Sequence, residues 1–428
     1  MKILILYRHF WPDSPPYAAM LRSIAAHLVA AGHEVTIWAE MPVYKQSDGD
    51  LSPPRREVLD GIQVERFRRL PLWHRSGFVR TLAKLAYVPR IIAKALTAKA
   101  AGYEFDLVWT ATIPPVLQGW CGRTVARIFA AKFLYHCQDL YPEIAVQSGM
   151  ITEGGLLHRM GKAIEGKTRA SADMLVTLSA DMEATAAQLR SPRQSAIVNN
   201  FLLESFSQQR SSSAKTVPSG HSQHISSGDA DESTIRIVFA GNVGRFQGLS
   251  QFVEGFLDAC ETTPLHLTIL GEGRALDDLK RQASGSPHIR FRNHLPFSDA
   301  AAVIAAHDFG LVALEPELYR YAYPSKTLTY FGLGLPVLAM VEPESELARL
   351  IEANGLGSVF PARSPKNIAA ALCQLGRGAD ALPVLKANAA RHYAERLATP
   401  ARLNDWGTLI NGLSANRAAE PSPERREE

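Results

Sequence analysis

A strand–turn–helix alternation runs through this chain twice, and between the two runs lie 29 residues with almost nothing apolar. That pattern constrains the fold more than any single motif. Short apolar stretches suit strands buried on both faces, and helices alternating with them cover a parallel sheet on both sides. In the first run Lys2–Tyr7 reads as a strand. His9–Tyr17 holds three prolines and reads as a loop. From Ala18 onward Leu21, Ile24, Ala25 and Leu28 recur at helical spacing, Gly32 stops the helix, and Glu34–Ala39 gives the next strand. Further strands are expected at Gln63–Phe67, Asp106–Ala111 and Lys132–His136.

The second run begins after Ser205–Ser233, which carries ten serines in its 29 residues and should be flexible. Strands are expected at Ile235–Gly241, His266–Gly271, Phe309–Leu314 and Pro336–Val341, with helices at Leu249–Cys260 and Ala275–Ala283. The chain therefore divides into five parts. Residues 1–204 form an N-terminal Rossmann-like domain, 205–233 a flexible linker or loop, and 234–381 a C-terminal Rossmann-like domain. Residues 382–414 form a helical segment able to pack back on the N-terminal domain, and 415–428 a disordered tail. The expected class is α/β, with two facing Rossmann-like domains and a ligand in the interdomain cleft at the carboxyl ends of the sheets.

Composition narrows the function. With 46% apolar and 21% charged residues the chain is neither wholly disordered nor a bundle of membrane helices. A net charge of +4 over 428 residues does not by itself imply nucleic acid. Four cysteines without a C-x-x-C pair argue against a disulfide framework or a zinc site and fit a reducing compartment. The N-terminus lacks the apolar run and cleavage site of a signal peptide, so a cytoplasmic location is expected.

Three stretches carry chemistry. In Phe239–Leu249, a strand ends at Gly241 and a glycine-containing turn with Asn242, Gly244, Arg245 and Gln247 leads to a helix. Glycines admit a ligand close to the backbone, and a helix start offers free N–H groups to an anion. An ordinary tight turn would read the same way. In Glu315–Val337, a tyrosine-rich loop runs into Pro324-Ser325-Lys326, where a helix can start and a phosphate would meet amides, the Ser325 hydroxyl and the Lys326 ammonium. A capped helix with an exposed lysine is the plainer alternative. Tyr135–Gly149 sets His136, Asp139 and Glu143 after a strand, at the expected cleft edge. A histidine at a strand end is more often a packing residue than a base.

Together these stretches resemble family 4 of the glycosyltransferases, the retaining enzymes of the GT-B fold, and most of all the bacterial members that assemble capsule, exopolysaccharide, O-antigen and colanic-acid-type chains. The resemblance runs over nearly the whole chain. It includes Ala31-Gly32-His33-Glu34-Val35-Thr36, Gln138-Asp139-Leu140-Tyr141-Pro142-Glu143 and Val198-Asn199-Asn200-Phe201. In the second half it includes Gly241-Asn242, Gln247-Gly248-Leu249, Gly271-Glu272-Gly273, Pro324-Ser325-Lys326 and Gly334-Leu335-Pro336-Val337.

The resemblance implies a nucleotide-sugar donor, UDP before GDP, in the second domain and a polyprenyl-diphosphate-linked saccharide in the first. It implies no cofactor and no metal, so cationic side chains must balance the diphosphate. Lys326 and Arg245 are the expected leaving-group stabilisers, with Asp139 orienting the acceptor or sugar. Gly241, Asn242, Gly244, Gln247, Gly271, Gly273, Glu315, Pro324, Ser325 and Thr329 would line the donor, and His136, Glu143 and Tyr17 the acceptor. Many members carry two glutamates separated by seven residues, and Tyr321 and Thr329 occupy those positions here. The usual Arg and Lys of the first phosphate loop fall on Asn242 and Gln247. Arg245, and Glu315 or Glu317, are the candidates to compensate. The implied activity is a hexosyl- or N-acetylhexosaminyl-transfer. The rival readings are an inactive GT-B partner in a polysaccharide synthesis complex and a sugar-nucleotide epimerase.

Glu65–Ala100 carries nine Lys or Arg and one Glu among apolar and aromatic residues. Peripheral contact with the anionic inner face of the plasma membrane is expected there. A solvated helix face would have the same composition.

Overall fold

The computed structural model describes residues 1–13, 16–42, 53–68, 86–203, 234–244, 247–360 and 364–418. The expected linker 205–233 and Arg245 lie outside the described residues, as do 69–85 of the basic segment. The chain divides into two units, Met1–Asn199 with Pro400–Glu428, and Asn200–Thr399.

The first unit is built on an eight-stranded sheet. Its strands are β1 (Lys2–Leu6), β2 (Glu34–Glu40), β3 (Arg56–Leu59), β4 (Ile62–Phe67), β5 (Leu107–Thr110), β6 (Lys132–His136), β7 (Met174–Thr177) and β8 (Ser195–Ile197). Their order is β3-β4-β2-β1-β5-β6-β7-β8, parallel throughout except where β3 runs against β4. Central strands such as β1 and β5 are nearly all apolar because helices cover both faces, and in β1 only Lys2, at its start, reaches solvent.

The second unit holds β9 (Ile235–Ala240), β10 (Leu265–Leu270), β11 (Ile289–Arg292), β12 (Phe309–Ala313), β13 (Val337–Met340) and β14 (Gly357–Val359). Their order is β11-β10-β9-β12-β13-β14, and every pairing is parallel. In order of appearance this is 3-2-1-4-5-6, the doubly wound arrangement of dinucleotide-binding folds. The order reverses between β9 and β12, where the crossovers depart to opposite faces and leave a crevice at the carboxyl ends. The core around these strands includes Ile237, Phe239, Phe252, Phe256, Leu267 and Leu311.

Several expectations change. The sequence reading misses β7, an interior strand of only four residues, and the edge strands β3, β8, β11 and β14, which contain no fully buried residue in their short spans. The segment 382–414 is not one body. A helix at Leu382–His392 and a widened turn at Tyr393–Leu397 belong to the second unit, whereas Thr399–Ala418 is a helix that from Pro400 onward belongs to the first. Trp406, Ile410 and Leu413 form its buried stripe. Trp406 stacks on Trp109 of β5 at 4.4 Å, and Lys132 donates to the Leu413 carbonyl at 3.0 Å. The helix also continues to Ala418, past the expected start of the tail at 415.

Candidate functional site

In the second unit, β9 ends at Ala240 and Gly241 follows with φ +124°. A Cβ at Gly241 would lie 2.9 Å from Lys326 Cε, so the missing side chain is the space through which the lysine arm passes. Gly271 has φ +144°, and a Cβ there would fall 1.9 Å from the Gly241 carbonyl oxygen. One at Gly273 would fall 2.1 Å from the Val243 carbonyl oxygen. The turns after β9 and β10 are thus pressed backbone to backbone, joined by Gly241 N–H to Leu270 O at 2.9 Å and Val243 N–H to Glu272 O at 2.8 Å. These glycines are close-packing residues first, and the loop they make exposes Gly241 and Asn242.

Lys326 opens the helix Lys326–Gly332. Its ammonium donates to Gln247 Oε1 at 3.2 Å and sits 4.6 Å from the centre of the Phe239 ring. Among the described residues no carboxylate pairs with it. Desolvation draws its pKa down from 10.5 to about 8, so it remains charged near neutral pH in a place that penalises the charge. Ser325 has helical backbone angles, and its hydroxyl makes no cap bond, against the capping role open to it in the sequence. Helix Lys326–Gly332 has seven residues, so charge recognition here rests on the lysine itself.

What holds Lys326 in place was not legible in the sequence. The β9–β12 ladder stops at Val238↔Gly310, and the Tyr330 hydroxyl takes over. It accepts from Ala240 N–H at 2.9 Å and donates to Leu311 O at 3.3 Å, while its ring covers Gly310. Tyr330 therefore pins the lysine's helix into the strand-order reversal. On the β12 side, Glu315 reaches toward the helix Leu249–Cys260, its Oε1 lying 3.7 Å from where a Cβ of Gly248 would be. Glu317 differs. It has left-handed backbone (φ +64°), its amide donates to Glu342 Oε1 at 3.0 Å, and its carboxylate pairs with Arg320 at 2.7 Å. Of the two glutamates that could compensate for Tyr321 and Thr329, Glu315 faces the glycine turn. Pro324, Ser325 and Thr329 are partly or fully exposed around the same strand ends.

In the first unit the equivalent reversal lies between β1 and β5. His136, the last residue of β6, is 1% exposed. The Gln138 amide nitrogen, 2.8 Å away, can only donate, so Nε2 accepts and Nδ1–H is given to the Tyr17 phenol oxygen at 2.8 Å. Burial holds the imidazole neutral, with a pKa of about 3. Tyr17 and Glu143 are buried too, and neither Glu143 oxygen has a partner among the described residues. The three residues expected to touch acceptor are thus turned into the unit, and His136 takes the packing role. Asp139 is only partly buried, and desolvation raises its pKa to about 6.

The sequence reading also missed a dyad just past β1. His9 Nδ1 lies 2.6 Å from Asp13 Oδ2, with the carboxylate buried and the ring partly open. Tyr7 connects it to Asp139. Its ring contacts His9 and Tyr17, and the Asp13 and Asp139 carboxylates add to burial in raising its pKa. The i,i+4 spacing of His9 and Asp13 around Pro12 was the available signal.

Two family models match the chain: a glycosyl transferase 4-like domain over residues 17–200 and a glycosyl transferases group 1 domain over 234–377. The chain belongs to glycosyltransferase family 4. This glycosyltransferase is 25% identical over 241 residues to "Probable glycosyltransferase WbjE" of Pseudomonas aeruginosa, a match spanning 56% of the chain and only 58% of that protein's length. It is 23% identical over 424 residues to "Putative colanic acid biosynthesis glycosyl transferase WcaI" of Escherichia coli, covering 92% of this chain and 96% of that one. The structure of Anabaena HepE in complex with UDP-glucose superposes with a TM-score of 0.62 at 13% identity, covering 96% and 100% of the two chains. The fold of this glycosyltransferase is accordingly the GT-B type. Among the described residues there is no group of three metal-ligating side chains, and no helix is long and apolar enough to cross a membrane.

Proposed function

We propose that the protein transfers a sugar from a UDP-sugar, held by the second unit, to a polyprenyl-diphosphate-linked saccharide during assembly of a bacterial surface polysaccharide. One observation carries the reading: Lys326 keeps a desolvated ammonium, with no carboxylate partner among the described residues, beside exposed Gly241 at the strand-order reversal of the second unit. A diphosphate there would supply the missing counter-charge, worth about 1.5–3 kcal/mol per charge-assisted hydrogen bond. The complex of HepE with UDP-glucose supports the donor class, and the colanic-acid relative supports the product class.

Transfer proceeds with retention. The bond from the sugar C1 to the β-phosphate oxygen breaks with its electron pair going to phosphate, the acceptor hydroxyl oxygen bonds C1 on the same face, and its proton passes to the departing phosphate oxygen. Lys326 stabilises the charge that develops on the leaving group, with Arg245 in support, and Glu315 receives sugar or ribose hydroxyls. Asp139 orients the acceptor, with Tyr7 close to its carboxylate. Gly244 and Gln247 shape the phosphate turn, Gln247 by holding the lysine until the donor arrives.

The test is a thermal-shift screen of UDP- and GDP-sugars, followed by donor turnover with and without a lipid-linked saccharide. A UDP-sugar should raise the melting temperature, and UDP release should require the acceptor. Stabilisation without turnover would point to the inactive-partner reading. Conversion of the free donor to its epimer would point to the isomerase.

A further inference from the structure

The basic segment 65–100 is the expected membrane contact, but much of its described part is turned into the first unit or paired. Tyr87, Val88 and Ile91 are buried in the first unit, Arg66 is buried and paired with Glu57 at 2.6 Å, and Lys94 pairs with Glu65. A different surface stands open. In the helix Leu156–Ser171, Leu156 is 73% exposed, Leu157 69% and Met160 52%, and Met150 in the preceding loop is 63% exposed. Scattered exposed apolar residues are ordinary, but three large ones within the first two turns of one helix are not.

Their arrangement is ordered. At about 100° per residue, Leu156 and Met160 fall within about 40° of each other, with Leu157 about 80° to one side of their line and Arg159 about 80° to the other. Lys167 continues the Leu156–Met160 line two turns on, and both cations are exposed. The helix has one acidic residue, Glu165, and it is fully buried beside Tyr135, whose hydroxyl donates to it at 2.5 Å. The opposite face, through Gly161, packs on Pro142 and Val116. The outward face is therefore apolar and cationic with no acid of its own, the pattern complementary to a negatively charged bilayer surface.

We propose that this helix seats the protein on an anionic lipid bilayer, with Leu156, Leu157 and Met160 entering the headgroup–acyl boundary and Arg159 and Lys167 meeting lipid phosphates. The inference goes beyond the transfer reaction and does not depend on the donor. It suits an acceptor carried by a polyprenyl diphosphate.

The experiment sediments the full chain with vesicles of equimolar phosphatidylglycerol and phosphatidylcholine, and with phosphatidylcholine alone. The wild type should bind the anionic vesicles at least about tenfold more strongly, with the difference lost in high salt. The triple variant Leu156→Glu, Leu157→Glu, Met160→Glu should lose at least about tenfold of that binding. Arg159→Glu with Lys167→Glu should lose the preference for anionic lipid. Both variants should keep the wild-type melting temperature and its shift with UDP-sugar, which separates this surface from the donor reading. Wild type that ignores both vesicles, or a triple variant that sediments unchanged, would overturn the proposal. So would a wild-type dimer that the triple variant converts to monomer in size-exclusion chromatography, because the face would then join two copies.

Discussion

Replacing Lys326 by methionine is expected to make the protein more stable and less able to hold its donor. A lysine whose pKa falls from 10.5 to about 8 costs the fold about 3 kcal/mol when charged, at about 1.4 kcal/mol per pH unit. Methionine fills much of the same volume and carries no charge, so the penalty goes. Losing the contact with Phe239 returns about 0.5–1 kcal/mol, and losing the bond to Gln247 returns about as much. The net gain is about 1–2 kcal/mol, or about 2–8 °C in the melting temperature of the second unit. The sign has a pH signature. A depressed lysine pKa means the wild type carries the full penalty below pH about 8, loses it between there and 10.5, and is free of it above. The variant's advantage should therefore be complete at pH 7 and vanish toward pH 10.5. Donor binding moves the opposite way, weakening by about one to two orders of magnitude. At a donor concentration about a hundredfold over the wild-type Kd, ligand stabilisation would fall from about 2.7 to about 0.9 kcal/mol for a thirtyfold loss. Differential scanning fluorimetry at pH 7 and 10, with and without UDP-sugar, reads both effects. A variant that melts at or below the wild type at pH 7 and keeps the full donor shift would refute the reasoning.

Gln247→Glu should place a carboxylate 3–4 Å from the same ammonium (the Gln247 oxygen is at 3.2 Å), raising apo stability at pH 7 while weakening donor binding at least about tenfold. Isothermal titration with UDP reads the loss. Asp139→Asn tests the raised carboxyl of the first unit. The folded wild type holds a proton between pH 3.8 and about 6 that the unfolded chain has released, so the variant's stability relative to wild type should climb by about 1.4 kcal/mol per pH unit across that window and then level off. Urea unfolding at pH 4, 5, 6 and 7 follows it, and a flat difference would mean that Asp139 is well solvated. Gly271→Ala should lower the melting temperature through a cost of more than about 2 kcal/mol, because the added carbon falls 1.9 Å from a carbonyl oxygen and the φ of +144° is unsuited to alanine.

Much of this was readable in the one-dimensional pattern. The runs Lys2–Leu6, Ile235–Ala240 and Leu265–Leu270 announce strands because a strand covered on both faces is apolar along most of its length, with the polar residues Lys2, Arg236 and His266 near its start. The helix Leu249–Cys260 was bounded to the residue because Gly248 precedes it and its apolar stripe is regular. Gly241 and Lys326 were identifiable as a pair of loops suited to phosphate. Edge strands such as Arg56–Leu59 were not, because one solvated face and a short span remove the signal.

Local chemistry thus named the alternation of elements, the family and the residue types able to meet a diphosphate. Tertiary structure alone decided which of them meet. The strand order puts Gly241 and Glu315 just past the ends of adjacent strands although 74 residues separate them, and Tyr330 fills the gap that the reversal opens. The same packing turns His136 inward and Leu156 outward, although nothing in their immediate neighbours distinguishes the two fates. The physical reason is that parallel pairing and burial depend on contacts between residues far apart in the chain, whereas periodicity and capping are properties of a few neighbours.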